Sequence, residues 1–415
     1  RVHCGPLAGT RLPAVGAGAR RRIGAAGALG VDMESVPVVR GLSGAGDAGA
    51  VPGGNGGVAA VLRVVLDTPS AELWQPRQVA RATARAYGAL RRAASLLEDW
   101  ARALGPGELV LAAPRASCAG VERAVEIVER ALQERGRPVY VRKQIVHNAH
   151  VIADLEARGA VFVDELDEVP LGATVIFSAH GVSPSVRAHA TERELDVIDA
   201  TCPLVAKVHA EARRFDAGGH EIVLVGHEHH EEVEGTFGEA PERTHIVATP
   251  QEALSLRLRD GAPVAVLTQT TLALDETAEV IDVLRERFPD LAAPRSSDIC
   301  YATQNRQDAV RALASDCDPV LVIGSGNSSN SQRLVEVARR AGTRAVLIED
   351  GTEIPPALLA GARRVGVTAG ASAPEALVQE VVRALAGVGR STIAERTVAR
   401  EDAHFKLPIG LRGGR

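Results

Sequence analysis

Aromatic side chains are scarce: Phe, Trp and Tyr make up 3% of the 415 residues. With a hydrophobic fraction of 46%, the core must be filled by Val, Leu, Ile and Ala, which suits parallel sheets covered by helices. No run of 18 apolar residues occurs, which excludes a transmembrane helix. The net charge of −5 leaves no global basic field to recruit nucleic acid. Five cysteines in so long a chain, without short regular spacing, do not form a secreted disulfide framework. In a reducing cytoplasm they are free, catalytic or metal-bound. Acids are missing before Asp32, and Met33 is the one methionine. The Gly-, Ala-, Arg- and Pro-rich stretch 1–57 fits a transit peptide. The reading preferred here is a start misplaced upstream, giving a disordered extension of low complexity.

What is present is a rhythm. Gln78–Leu104 reads as one amphipathic helix in an appendage over 58–106, stopped by Gly105-Pro106-Gly107. From Glu108 onward, short apolar runs alternate with helical stretches. The runs are Leu109–Ala112, Val139–Val141, Val161–Val163, Val175–Phe177, Val197–Asp199, Ile222–Val225, Val264–Leu267, Val320–Ile323, Ala345–Ile348 and Val365–Val367. This βαβ pattern implies parallel sheets with helices on both faces. There are too many strands for one small sheet, so three α/β lobes are expected over 107–201, 202–298 and 299–390, with a C-terminal tail over 391–415.

Three cysteines share a setting, each before a helix: Cys118, Cys202 and Cys300. They are separated by 84 and 98 residues (202 − 118 and 300 − 202), about one small α/β domain each. One cysteine per lobe could meet at a shared centre, with helix N-termini favouring the thiolates. Structural zinc normally takes four ligands, often in close pairs. Three distant thiolates suit a four-iron cluster with one iron left open. By spacing alone, three buried small hydrophobes are the simpler reading. Cys4 and Cys317 lack the setting, and Cys317 is expected to pack before a strand.

Polar clusters also fall at expected strand ends, where site residues collect. They are His147-Asn148, Ser178–Gly181, Gly226–Glu232, Thr268–Thr271, Asn327–Ser331 and Ala371–Pro374. Neutral donors with imidazoles that can become cationic bind a diphosphate without a metal bridge, and no paired-aspartate motif lies nearby. Each cluster has a plainer reading. His227, His229 and His230 fit a solvated loop as well as a metal site. Asp164–Glu168 reads as an exposed acidic face, and Gly324-Ser325-Gly326 alone is weak as a dinucleotide loop.

In order along the chain, a series of motifs resembles the 4-hydroxy-3-methylbut-2-enyl diphosphate reductase family. They are Pro114–Ala124 around Cys118, Ile145–Asn148, Phe177–Ser183, Asp199–Val205, Gly226-His227 with Glu232–Thr236, Thr268–Thr271, Asp298–Thr303, Asn327–Ser331 and Thr368–Ser372. The resemblance covers about Leu109 to Leu385. It departs where the family commonly has Gly-Phe before its first cysteine, since Ala116-Ser117 stand there, and where His229–Glu232 lacks the family's proline.

The resemblance implies three similar parallel-sheet α/β lobes in a trefoil around a central iron–sulfur cluster, plus the N-terminal extension. It implies one [4Fe–4S] cluster held by Cys118, Cys202 and Cys300. His147, His180, His230, Ser328, Ser329, Asn330 and Ser372 would hold the diphosphate. Glu232 would be the proton source, its pKa raised by the neighbouring anion. Thr270 would relay to the substrate hydroxyl, and Thr303 would line the pocket beside Cys300. The implied activity is reductive dehydroxylation of the allylic diphosphate to isopentenyl and dimethylallyl diphosphate, the last step of the methylerythritol phosphate pathway. Ferredoxin or flavodoxin would supply electrons, in the cytoplasm, without nucleic acid or membrane partners. The alternatives are a quinolinate-synthase-like cluster enzyme and a non-catalytic iron–sulfur sensor.

Overall fold

A computed structural model describes residues 7–9, 30–32, 102–103 and 105–411. The chain divides into two compact units, one of residues 1–107, 351–363 and 382–392, the other of residues 108–350, 364–381 and 393–415. In the first, β1 (Leu7–Gly9) and β2 (Gly30–Asp32) pair in parallel. The buried guanidinium of Arg390 there donates to the carbonyls of Ala103, Leu359 and Ala362, so a buried cation is met by three acceptors. The expected Gln78–Leu104 helix lies outside the described residues apart from Arg102 and Ala103, which are helical. The 1–57 extension lies outside them apart from β1 and β2.

The strands of the second unit are β3 (Glu108–Ala113), β4 (Val139–Arg142), β5 (Ala160–Val163), β6 (Thr174–Phe177), β7 (Asp196–Asp199), β8 (Glu221–Val225), β9 (Thr244–Val247), β10 (Val264–Thr268), β11 (Val320–Ile323), β12 (Ala345–Ile348), β13 (Arg364–Ala369) and β14 (Thr392–Thr397). They form three sheets in the orders β5-β4-β6-β7, β10-β8-β9 and β12-β11-β13-β3-β14. Every expected apolar run is a strand. The sequence reading passed over β9, a short edge strand, and β14, which is largely exposed and lacks an apolar face. Along β8, β10 and β11 every residue is buried, as sheets covered on both faces require. Among the described residues no helix is long and apolar enough to cross a membrane.

The helices are amphipathic by spacing. In α1 (Ala119–Glu134) the buried residues Ala124, Ile127, Val128, Ala131 and Leu132 repeat at the i, i+3, i+4, i+7, i+8 positions of one helical face. They pack with Val139, Val141 and Ile176 of the first sheet. In α2 (Pro203–Ala217), Val208, Ala212 and Phe215 pack with β8 and β10 of the second sheet. In the helix Tyr301–Ala314, Ala309, Val310 and Leu313 pack with β3 and β11 of the third sheet. Cys317 is buried in that third core, as expected.

The lobes are therefore interleaved, which corrects the expected boundaries. β3 belongs to the third sheet, pairing in parallel with β13 through Val110↔Gly366, not to a first lobe over 107–201. Each site cysteine stands where the chain leaves one sheet for the next, so the cysteines mark junctions rather than one position per lobe. Of the expected tail over 391–415, the described part to residue 411 is built into the fold as well. It adds β14 beside β3 and then sends Leu411, 1% exposed, into the core of the first sheet. Leu411→Ala should lower the unfolding free energy in urea by about 2–4 kcal/mol. A loss below about 0.5 kcal/mol, the usual scatter for surface substitutions, would mean that the tail is not anchored there.

Candidate active site

The three cysteines occupy one structural role. Cys118 caps α1, Cys202 caps α2, and Cys300 caps α4 (Tyr301–Ala314). Each backbone N–H donates to a carbonyl at the end of another strand: Cys118 to Ala371 at 3.1 Å, Cys202 to Ala179 at 3.0 Å and Cys300 to Thr270 at 3.1 Å. The three side chains open into a single cavity of about 100 Å³. Gly120 forms part of its wall. A Cβ there would lie 2.8 Å from Cys202 Sγ and 3.8 Å from Cys118 Sγ, so only glycine leaves both sulfurs room.

The sulfur spacing selects the kind of metal group. Among the described residues, one group of three His, Cys, Asp or Glu side chains has its donor atoms within 4.8 Å of one another, and it is His147, His180 and Glu231, not the cysteines. Three thiolates on one zinc would sit roughly 3.8 Å apart. The wider cysteine triangle fits an iron–sulfur cluster, whose metals spread the ligands. At Cys202 and Cys300 the first-turn N–H groups favour the thiolate as expected, but burial outweighs them. Burial pushes Cys202 up to about 12, against the opposing N–H groups of Leu204 and Val205, and Cys300 up to about 11. Metal binding must therefore expel protons from these sulfurs.

A polar wall lines the same cavity. His147 and His180 stack with ring centroids 4.1 Å apart, and His230 stands edge-on to both at 5.5 and 5.8 Å. Burial pushes His147 down to about 2 and His230 down to about 3, helped by the neighbouring imidazoles. His230 caps α3 (Glu231–Phe237), its Nδ1 accepting from the Glu232 N–H at 3.2 Å. That bond leaves the ring proton on Nε2 as a donor. Ser328 caps α5 (Ser329–Arg340), whose free first-turn N–H groups suit an anion. Asn330 is held by the Ala371 N–H at 2.9 Å, and Ser372 Oγ donates to the His147 carbonyl at 2.9 Å.

Glu232, 2% exposed, lines that cavity too. Its Oε1 accepts from the Thr270 N–H at 2.6 Å and its Oε2 from Thr270 Oγ1 at 2.9 Å. Burial raises its pKa against both bonds. The expected direction is thus present without a bound anion, and its first cause is desolvation.

Every residue expected in the site lines this one cavity: Cys118, Cys202 and Cys300, Glu232 and Thr270, the three histidines, Thr303, Ser328, Ser329, Asn330 and Ser372. Thr303 Oγ1 lies 3.0 Å from Cys300 Sγ. His227 and His229 do not line it, and His227 Nε2 instead meets Arg333 at 2.9 Å. The Asp164–Glu168 run forms an exposed turn closed by a Glu165–Glu168 capping box. Sequence reasoning missed Thr271, Gly120 and Glu231. Thr271 lines the cavity and bonds Ser329 at 3.1 Å, and Glu231 pairs with His180 at 3.2 Å. Thr271 and Glu231 stood beside chosen residues, and only the backbone direction tells such neighbours apart.

Alanine exceeds glycine in helix propensity by about 1 kcal/mol, yet Gly120→Ala should lose most of the bound iron and sulfide while the helical circular dichroism stays unchanged. Iron content equal to wild type would show that the cradle is not the metal's seat.

The model of the family described as LytB protein matches residues 109–386. The 4-hydroxy-3-methylbut-2-enyl diphosphate reductase 2 of Mycobacterium bovis is 58% identical over 314 residues, covering 75% of this chain and 95% of that protein. The 4-hydroxy-3-methylbut-2-enyl diphosphate reductase of Leifsonia xyli is 57% identical over 309 residues, covering 74% of this chain and 92% of that one. The solved E-1-hydroxy-2-methyl-but-2-enyl-4-diphosphate reductase from Plasmodium falciparum superposes with a TM-score of 0.72 at 37% identity, covering 74% of this chain and 97% of that chain.

Proposed function

The chain belongs to the LytB protein family, and on that premise we propose that it reduces 4-hydroxy-3-methylbut-2-enyl diphosphate. Two electrons and two protons remove the hydroxyl as water and leave isopentenyl or dimethylallyl diphosphate, the terminal products of the non-mevalonate route. The observation that carries this reading is one cavity lined together by three cysteine thiols, donors for a diphosphate and a buried acid.

Cys118, Cys202 and Cys300 hold a [4Fe–4S] cluster, which supplies the electrons one at a time when bound. Ferredoxin or flavodoxin in the cytoplasm is the donor this reading takes. His147, His180, His230, Ser328, Ser329, Asn330 and Ser372 bind and orient the diphosphate, fixing the hydroxyl end toward the cysteines. Glu232, whose protonated form burial favours, is the proton store. With its carboxyl protonated, its O–H donates to Thr270 Oγ1, and Thr270 passes its own proton to the leaving oxygen. Thr303, bonded beside Cys300, closes the cavity against water. A sensor would have no use for the buried Glu232–Thr270 pair.

Anaerobic oxidation of a reduced one-electron dye by cluster-loaded protein should depend on the substrate and vanish in Cys202→Ser. Glu232→Gln should keep the cluster and lower kcat by roughly 10²- to 10⁴-fold; wild-type turnover in that variant would falsify the acid role.

A second expectation follows from the histidines. With pKa values near about 2 and about 3, His147 and His230 are uncharged at neutral pH. A bound polyanion favours their charged forms, so binding takes up protons. Inorganic diphosphate should therefore bind more tightly as pH falls from about 8 to about 6, through the ordinary His range. Calorimetry in two buffers of different ionisation enthalpy should show net proton uptake. Proton release would mean that the anion sits elsewhere.

A further inference from the structure

Arg306 heads the largest fully buried side chains of the protein, at 0% exposure. It lies on α4, the helix that Cys300 caps, and reaches back to the loop that carries Cys118. Its Nε and Nη2 donate to the Ala116 carbonyl at 3.1 and 2.6 Å, and Nη2 approaches the Ser117 carbonyl at 3.4 Å. Nη1 donates to the Ala302 carbonyl at 2.9 Å and to Glu401 Oε1 and Oε2 at 3.0 and 3.2 Å.

The loop needs that grip. Ala116 has φ +60°, a left-handed conformation that costs a residue with a Cβ about 1–2 kcal/mol. Besides Arg306, the Ala369 carbonyl holds it, accepting from the Ala116 N–H at 3.3 Å. A fully buried cation in turn needs a counter-charge. Glu401 on the C-terminal segment supplies it, steadied by Asn305 Nδ2 at 3.0 Å. Through the carbonyls of Ala116, Ser117 and Ala302 the pair lies within two residues of both Cys118 and Cys300.

We propose that Arg306 and Glu401 are a positioning pair that clamps the Cys118 loop to the Cys300 helix and, by cancelling each other's charge, sets the reduction potential of the metal group beside them. The potential half rests on the reading that these cysteines hold an iron–sulfur cluster. A cluster gains negative charge on reduction, and an unpaired cation nearby favours that form. Glu401→Gln leaves Arg306 unpaired, so the potential should move in the positive direction, while Glu401→Asp should bring it back toward wild type.

The experiment is an anaerobic redox titration of variants matched to wild type in iron and sulfide content. An unchanged potential in Glu401→Gln overturns the electrostatic half. A purely structural part for Glu401 would lower cluster content and melting temperature without a charge-dependent potential. The clamp is read separately in cluster-free protein, as the iodoacetamide alkylation rate of Cys118 relative to Cys202 by peptide mass spectrometry. Arg306→Lys and Glu401→Gln should each raise that ratio severalfold, and an unchanged ratio in both overturns the clamp. If wild-type protein binds no iron at all, the cluster reading fails, while the alkylation ratio still decides the clamp.

Discussion

One backbone hydrogen bond, made three times, sets the registration of the whole site. The N–H groups of Cys118, Cys202 and Cys300 donate to the carbonyls of Ala371, Ala179 and Thr270. Those carbonyls belong to the residue before Ser372, the residue before His180, and the partner of Glu232. Each thiol is thus fixed within one peptide unit of a group on the polar wall. A single such bond contributes only about 1 kcal/mol, but here it transmits position: a slip of any lobe moves a sulfur and a substrate contact together. Catalytic geometry is sensitive at the scale of an ångström, and these bonds couple the two walls at that scale.

A second common cause is dryness. Burial favours the protonated form of Glu232, holds His147 and His230 uncharged, and keeps Cys202 and Cys300 as thiols. The same low-polarity cavity therefore prepares an acid, neutral donors and proton-releasing metal ligands. Desolvation of the charged form is the first cause in each; neighbouring imidazoles reinforce it at His147 and His230, and hydrogen bonds oppose it at Glu232, Cys202 and Cys300.

The strands were legible because buried parallel strands are continuous apolar runs, as in Val320–Ile323. β9 and β14 were not, since Thr244 and His245 break the apolar run of β9 and β14 is largely exposed and polar. The site residues were legible because polar groups at strand ends have no packing role, so Asn327–Ser331 and Thr268–Thr271 stood out. The helix N-terminus behind each thiol was legible as a local signal, while the burial that outweighs it at Cys202 and Cys300 depends on the entire tertiary arrangement. The lobe boundaries failed for the same reason: pairing of β3 with β13 is a long-range choice that no local pattern announces. Nothing in the sequence singles out Arg306 or Glu401, one in a helix and the other in a polar tail. Ala116, by contrast, was flagged by its place in the motif, and its left-handed backbone accounts for the family's usual glycine.

The interleaving of the lobes also governs how the molecule is made. Val110 and Gly366 are register partners, yet they leave the ribosome 256 residues apart (366 − 110). At bacterial or eukaryotic synthesis rates that gap is roughly ten to fifty seconds. Throughout that interval β3 is an apolar strand without a sheet, and Cys118 is a ligand without its companions. The last lobe is completed by one of the first strands made. A nascent chain can therefore assemble its first two sheets early, while the metal-binding centre must wait for nearly the full length of translation.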